Sequence, residues 1–387
     1  MKLFIRDAFQ IRYFCEKERK GGILKVLVCP LDWGIGHATR CVPVIREFLE
    51  SGDEVVIAAD GRPYEFLKKE FPECRMIRFK GAHISYSKGK GFLIKIIGLS
   101  PFLLRSYFRE QKKIQELIRI ENPSVIVSDN RYGLWKHDRF SILITHQLRI
   151  ILPAPVRFLT GFINRMIHRQ AEKFRECWVP DFELHNGLAG QLSHPPELSK
   201  NMHYIGTLSR FSMPPGQRDV PVPCDFDIMV ALSGPEPQRT LFEEIVFKQL
   251  QNTGLSGIIV RGLTETNEEW NLTDKIKVFS HLETGKMKEY ILRSHIVICR
   301  SGYSSLMDLV TLGKNAILVP TPGQTEQEYL ARYLMEKKIY FSMQQDHFEL
   351  LYAIEMTRNF PGLVMQNDYK ILKERIREIR KGLGISH

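Results

Sequence analysis

The chain has 387 residues, 43% of them hydrophobic and 26% charged, with no low-complexity tract or repeat. That is length enough for two α/β halves, each with its own core, and it excludes a fibrous or disordered chain. A formal net charge of +11 points to an anionic partner, which leaves nucleic acid, phospholipid and nucleotide; no zinc-type spacing or nucleic-acid motif supports the first.

No apolar run approaches the roughly 20 residues that span a bilayer. The seven Cys are scattered and odd in number, which reads as reduced cytosolic thiols. Residues 1–22 carry charges throughout and lack the apolar centre of a secretion signal, so they read as an extension ahead of the first strand. Residues 23–29 form that strand and feed PLDWGIGHATRCVPVIREFLE. Val42, Ile45, Phe48 and Leu49 are spaced for one buried face of a helix over about 38–50. Residues 54–59 complete a βαβ unit with Gly34 and Gly36 in its first turn. Thr39 stands where a third Gly would complete GxGxxG, which argues against a conventional dinucleotide site.

His37 follows Gly36 at the helix start, where the dipole favours neutral imidazole able to take a proton. A cap or a phosphate contact is the equal alternative. Arg40 is a candidate for an acceptor phosphate or a surface residue. In 81–118, apolar clusters (Phe92–Ile94, Ile96, Ile97, Leu99, Phe102–Leu104) are surrounded by Lys88, Lys90, Lys95, Arg105 and Arg109. Such a patch suits an anionic membrane surface; for 106–120 a core-packing helix is an equal reading. A strand at 125–128 delivers Asp129, a base or an orienting group for His37 or equally a helix cap, and Asn130, read as a helix cap. A strand at 141–145 ends in His146-Gln147, a helix covers 156–173, and a strand at 176–179 closes the first sheet.

The proline-rich, aperiodic stretch 207–223 reads as a linker. This gives domains at 23–206 and 224–367, with a basic amphipathic helix in 368–387. In the second half a strand at 227–232 runs into Ser233-Gly234-Pro235-Glu236, and Pro235 removes one N–H donor from that turn. Strands at 257–260 and 275–279 present Arg261, a candidate diphosphate cation, and Ser280-His281-Leu282. Then comes IVICRSGYSSLMDLVTLGKNAILVPTPGQTEQEYL, residues 296–330. It reads as strand, Gly turn, helix, strand, loop and helix. Arg300-Ser301-Gly302 makes the turn, and Ser304 or Ser305 is expected to cap the helix. A helix start at the carboxyl end of a parallel strand suits a phosphate. Asp308, about one turn on, is placed to accept from vicinal ribose hydroxyls.

The runs RSGYSSLMD and LVPTPGQTEQEYLA resemble the nucleotide-sugar half of the MurG-like glycosyltransferases, strongly in 295–331 and moderately in 23–60. The resemblance implies the GT-B fold: α/β, two Rossmann-like doubly wound domains facing across a cleft, with the last helix crossing back to the first domain. It implies an inverting transferase using a nucleoside-diphosphate sugar, most simply UDP-N-acetylglucosamine or a relative. By it, Ser233, Gly234, Arg261, Leu282, Arg300, Ser301, Gly302, Tyr303, Ser304, Ser305, Asp308, Gln327 and Glu328 bind the donor; Gln327–Glu328 stands where the family more often has Gln-Gln. Gly34, Gly36, Arg40, His146 and Gln147 line the acceptor side, and His37 or Asp129 is the base. It further implies a lipid-linked or saccharide acceptor, peripheral attachment to the inner face of the cell membrane, and no nucleic acid. No metal cofactor is expected, because Asp225-Phe226-Asp227 lies at the wrong end of its strand. A nucleotide-sugar 2-epimerase and a non-catalytic binding subunit are the rivals.

Overall fold

The computed structural model describes residues 22–81, 100–152, 154–183, 187–212, 222–364 and 369–385; for 100–107 and 154–155 only the backbone is described. Seven parallel strands make the first sheet: β1 (Lys25–Cys29), β2 (Glu54–Ala59), β3 (Arg75–Arg78), β4 (Val125–Asp129), β5 (Phe140–Ile144), β6 (Glu176–Val179) and β7 (Met202–Tyr204). Their order is β3-β2-β1-β4-β5-β6-β7. The sheet is buried on both faces, so the strands read as continuous apolar runs. Val26 and Val28 point toward α1 (Ile35–Glu50), where Val42, Ile45 and Phe48 are fully buried. Leu27 points the other way, toward Ile114 and Leu117 of α3 (Ser100–Glu121). The short helix α2 (Gly61–Glu70) follows β2, and α4 (Thr160–Ala171) lies between β5 and β6.

The second sheet runs β10-β11-β9-β8-β12-β13-β14. It comprises β8 (Phe226–Ala231), β9 (Gly257–Val260), β10 (Glu269–Thr273), β11 (Ile276–Phe279), β12 (Ser294–Cys299), β13 (Ala316–Leu318) and β14 (Phe341–Ser342). All its pairs are parallel except β10 with β11. Helices α5 (Gln238–Leu250), α6 (Thr284–Leu292), α7 (Tyr303–Leu312), α8 (Thr325–Glu336) and α9 (Leu350–Thr357) connect the strands. The last helix, α10 (Tyr369–Gly382), returns to the first sheet. Its Leu372, Ile376 and Ile379 join the core around α1, Arg380 pairs with Asp53, and Arg375 forks onto Glu176 at 2.9 and 2.7 Å.

Three local expectations change. The first sheet does not close at β6, because β7 pairs with it through Cys177–Met202. The helix expected over 156–173 is a 3-10 segment, Ala154–Leu159, followed by the shorter α4. Asn130 caps nothing: it takes φ 54° and its Oδ1 accepts from Thr145 Oγ1 at 3.1 Å. The linker is packed at its start, with Leu208 and Phe211 in the core.

Candidate active site

In each sheet, one pair of neighbouring strands marks the point where the winding reverses, and a crevice opens outside their carboxyl ends. In the first sheet that pair is β1 and β4. The loop after β1 enters α1 three residues earlier than the apolar spacing suggests, so His37 lies in the helix's first turn. β4 ends in Asp129. His37 Nδ1 is 2.8 Å from Asp129 Oδ2. Arg40, one turn along α1, donates from Nε to Asp129 Oδ1 at 2.6 Å, and its Nη2 lies against both Asp129 Oδ1 and, at 2.8 Å, His37 Nδ1.

A ring nitrogen with one proton cannot both donate to Asp129 and accept from Arg40. Arg40 Nη2 has Asp129 Oδ1 as another acceptor, so the proton belongs on Nδ1 and the Nε2 lone pair is left for a substrate. The imidazole keeps a fifth of its surface while Asp129 has none. His37 is therefore the group a hydroxyl can reach, and Asp129 orients it. Burial, then the Arg40 charge, holds the imidazole below its ordinary pKa against the pull of Asp129. Burial works to raise the Asp129 carboxyl, but Arg40 and His37 outweigh it and hold it low.

His146, just past β5, carries this cluster across the cleft. Its Nδ1 faces Arg40 Nη1 at 3.3 Å and its Nε2 meets Glu326 Oε1 at 2.9 Å. Its ring stacks on Tyr303 at 4.1 Å with 12° between planes. Gln147 Nε2 donates to the other oxygen of Glu326.

In the second sheet the corresponding pair is β8 and β12. Gly302 is the N-cap of α7, which has no side-chain cap. The amides of its first turn thus lack intrahelical acceptors and sit at the positive end of the dipole. Ser304 and Ser305 lie inside this turn and do not cap it. Ser304 Oγ instead donates to Gly36 O at 2.7 Å. A Cβ on Gly36 would stand 3.1 Å from that Ser304 Oγ, so a larger residue there would make Ser304 give way by a few tenths of an ångström. Beside this helix start, Gly234 turns with φ 106°. The Thr321 hydroxyl, buried and without a hydrogen-bond partner among the described residues, lies 3.5 Å from where a Gly234 Cβ would be.

Several assigned residues turn out to be engaged elsewhere. Arg300 is buried and donates to the carbonyls of Val319, Pro320 and Gln238 and to Gln345 Oε1; burial pushes its pKa down to about 10. Arg261 forks onto Glu243 at 2.7 and 2.8 Å. Neither guanidinium is free for a diphosphate. Arg40 is not a surface residue, being 2% exposed and committed to Asp129. Asp308 accepts from Ser209 Oγ at 2.6 Å and faces Arg210 Nε at 3.6 Å. Burial raises its pKa, with Arg210 and Ser209 opposing.

Gln327 and Glu328 stand in the first turn of α8 rather than in a loop, and both turn back on it: Gln327 Oε1 accepts from Thr321 N, Glu328 Oε1 from Gly323 N. Glu326, one residue earlier, faces the cleft. Ser301 Oγ donates to Gln327 O at 2.8 Å, and Leu282 is in the core, leaving only its backbone for a ligand. His281 meets Phe66 edge-on, and burial followed by Arg210 lowers it to about 4. Of the basic apolar segment, 82–99 lies outside the described residues, as do the side chains through 107; Phe108 and Arg109 are exposed, and Ile114 and Leu117 pack as core.

Two Rossmann-like sheets with their switch points facing across a cleft define a GT-B-type α/β protein. Residues 247–357 match the glycosyltransferase family 28 C-terminal domain. An uncharacterized glycosyltransferase of Methanosarcina acetivorans is 31% identical over 330 residues, covering 80% of this chain and 81% of that protein. Arabidopsis thaliana UGT89C1 superimposes with a TM-score of 0.60 at 13% identity, over 92% of this chain and 100% of that one. Its complex with UDP-L-rhamnose gives 0.56 at 13% identity, over 94% and 97%. The chain belongs to the glycosyltransferases and is an enzyme of that class.

Proposed function

We propose that the protein moves a sugar from a UDP-sugar, N-acetylglucosamine or a close relative, to an acceptor hydroxyl with inversion. One observation carries this: the Ser304–Gly36 contact puts the His37 loop against the first turn of the uncapped helix α7. His37 Nε2 takes the acceptor proton, the acceptor oxygen attacks the anomeric carbon, and the bond to the diphosphate breaks with its electron pair leaving on the diphosphate oxygen. Asp129 stabilises the imidazolium, and the α7 amides with the Thr321 hydroxyl hold the leaving group. A ribose hydroxyl takes the place of Ser209 Oγ at Asp308. The UDP-L-rhamnose complex of the Arabidopsis neighbour supports the donor class by fold alone.

The acceptor is lipid-linked or a saccharide, met at an anionic membrane surface. What supports the membrane is the outer side of the α4 region, where Phe158, Phe162 and Met166 are exposed beside Arg157, Arg165 and Arg169. No helix among the described residues is long and apolar enough to cross a membrane. Purified protein incubated with labelled UDP-sugars and membrane extract tests this. The expected product is a lipid-extractable or polymeric glycoside with inverted anomeric configuration, lost in His37→Ala. A free sugar epimer formed without acceptor would overturn the reading in favour of an epimerase.

A further inference from the structure

The arrangement of His37 depends on the opposite half of the molecule. Arg40 is held at Asp129 and His146 and lies against His37, and His146 is in turn held by Glu326 on α8. We propose that Glu326 is a positioning residue for His37, acting through His146 and Arg40 and by its own charge, so that seating α8 on the first sheet readies the base. This rests on the reading of His37 as that base.

The proton pattern allows little choice. Arg40 Nη1 can only donate, so His146 Nδ1 must accept and its proton sits on Nε2, directed at Glu326. Without Glu326 the ring is free to carry its proton on Nδ1 and set an N–H against Arg40. The guanidinium would then lose its His146 anchor and be left with Asp129 alone beside the base. Charge acts in the same direction. The charged groups that weigh most on His37 are Arg40, Asp129 and Glu326. Two carboxylates against one guanidinium leave the cluster one negative charge when both imidazoles are neutral, so protonating His37 balances it. With Glu326 gone, the same protonation leaves an uncompensated positive charge in a mostly buried site, which is costly. Glu326 remains ionised there because, although burial works to raise its carboxyl, His146 and Arg40 hold it low. Its place in the first turn of α8, at the positive helix end, favours the charge as well.

The test needs no acceptor. In the full chain labelled with 15N-histidine, long-range proton–nitrogen spectra report each ring's tautomer and its titration midpoint. The expected wild-type pattern is Nδ1–H on His37 and Nε2–H on His146. In Glu326→Ala the His37 midpoint should fall by about half a pH unit or more, roughly a threefold loss of proton affinity, and His146 should show mixed tautomers. Glu326→Gln keeps an acceptor for His146 without the charge, so it should restore the His146 tautomer while His37 stays low. Should the alanine variant not fold, the fall in Glu326→Gln decides alone. A His37 midpoint and tautomer unchanged in the folded variants, with any change confined to His146, would overturn the proposal. If the coupling is present yet His37→Asn transfers sugar normally, the coupling stands and the base assignment falls.

Discussion

The two sheet edges that face each other are built on opposite plans. The first is crowded with charge: Asp129, Arg40 and two histidines pack into one network that runs on to Glu326. The second presents backbone amides and a hydroxyl, and turns its cations away. Arg300 ties the loop after β13 to the start of α5 and to Gln345, and Arg261 is locked on Glu243. A buried guanidinium without partners is costly, so both arginines are held where carbonyls or a carboxylate surround them. On the proposed reading, the difference teaches that proton transfer falls to fixed side-chain charge and leaving-group stabilisation to oriented dipoles.

Breaking the first edge should have the largest effect. His37→Ala should cut transfer by about 10²–10⁴-fold while leaving UDP affinity, measured by calorimetry, within about twofold. Asp129→Asn should cost about 10² or more and should also move the acidic limb of the pH–rate profile. Because Asp129 raises the His37 pKa, its loss shifts that limb to lower pH. If Asp129 itself were the base, the limb would vanish instead of moving. The wild-type limb should fall below the ordinary imidazole value of 6.5. The same depressed pKa makes the unfolded chain bind more protons than the folded one as pH drops through 6.5. Stability should therefore decline on that side.

The second edge can be tested through its arginines. Arg300→Met leaves carbonyls and Gln345 unpaired in the interior and should lower stability by about 2–4 kcal/mol. Arg261→Met should cost less, about 1 kcal/mol, because Arg239 still holds Glu243 at 2.8 Å. Its UDP affinity should stay within about twofold. A loss of tenfold or more in a folded Arg261→Met would mean that cations do serve the second edge, and the contrast would fail.

Much of this was legible in sequence because it is local. Strand runs, the Gly-His loop, Asp129 at a strand end and Gly302 before a helix all follow from short-range pattern and parallel-sheet geometry. What escaped is decided by partners far along the chain. Arg40 and Asp129 are 89 residues apart, and His146 and Glu326 are 180 apart. An arginine after a strand looks like a phosphate ligand until its carboxylate is found, as Glu243 was for Arg261. Glu326 was missed by one residue. With α8 starting at Thr325, position 326 points across the cleft while 327 and 328 turn back, and helix starts are the least certain feature of a sequence pattern. The sign available was the Thr-Glu-Gln-Glu run itself, which puts acids in a first turn.

The smallest effect probes the amide edge most directly. Thr321 has a buried hydroxyl with no partner among the described residues, next to Gly234 and within the loop that Gln327 orders through Thr321 N. Such a group costs stability until something pairs with it. Thr321→Val removes the hydroxyl and keeps the shape. The ligand-free protein should melt slightly higher, by an amount corresponding to about 1 kcal/mol. Its UDP affinity should fall by about three- to tenfold, with uridine affinity unchanged. Opposite signs for stability and diphosphate binding separate a ligand-facing hydroxyl from a packing group, which would lose both together. If Thr321→Val binds UDP as tightly as the wild type, the hydroxyl faces no phosphate, and the second edge works through the α7 amides alone.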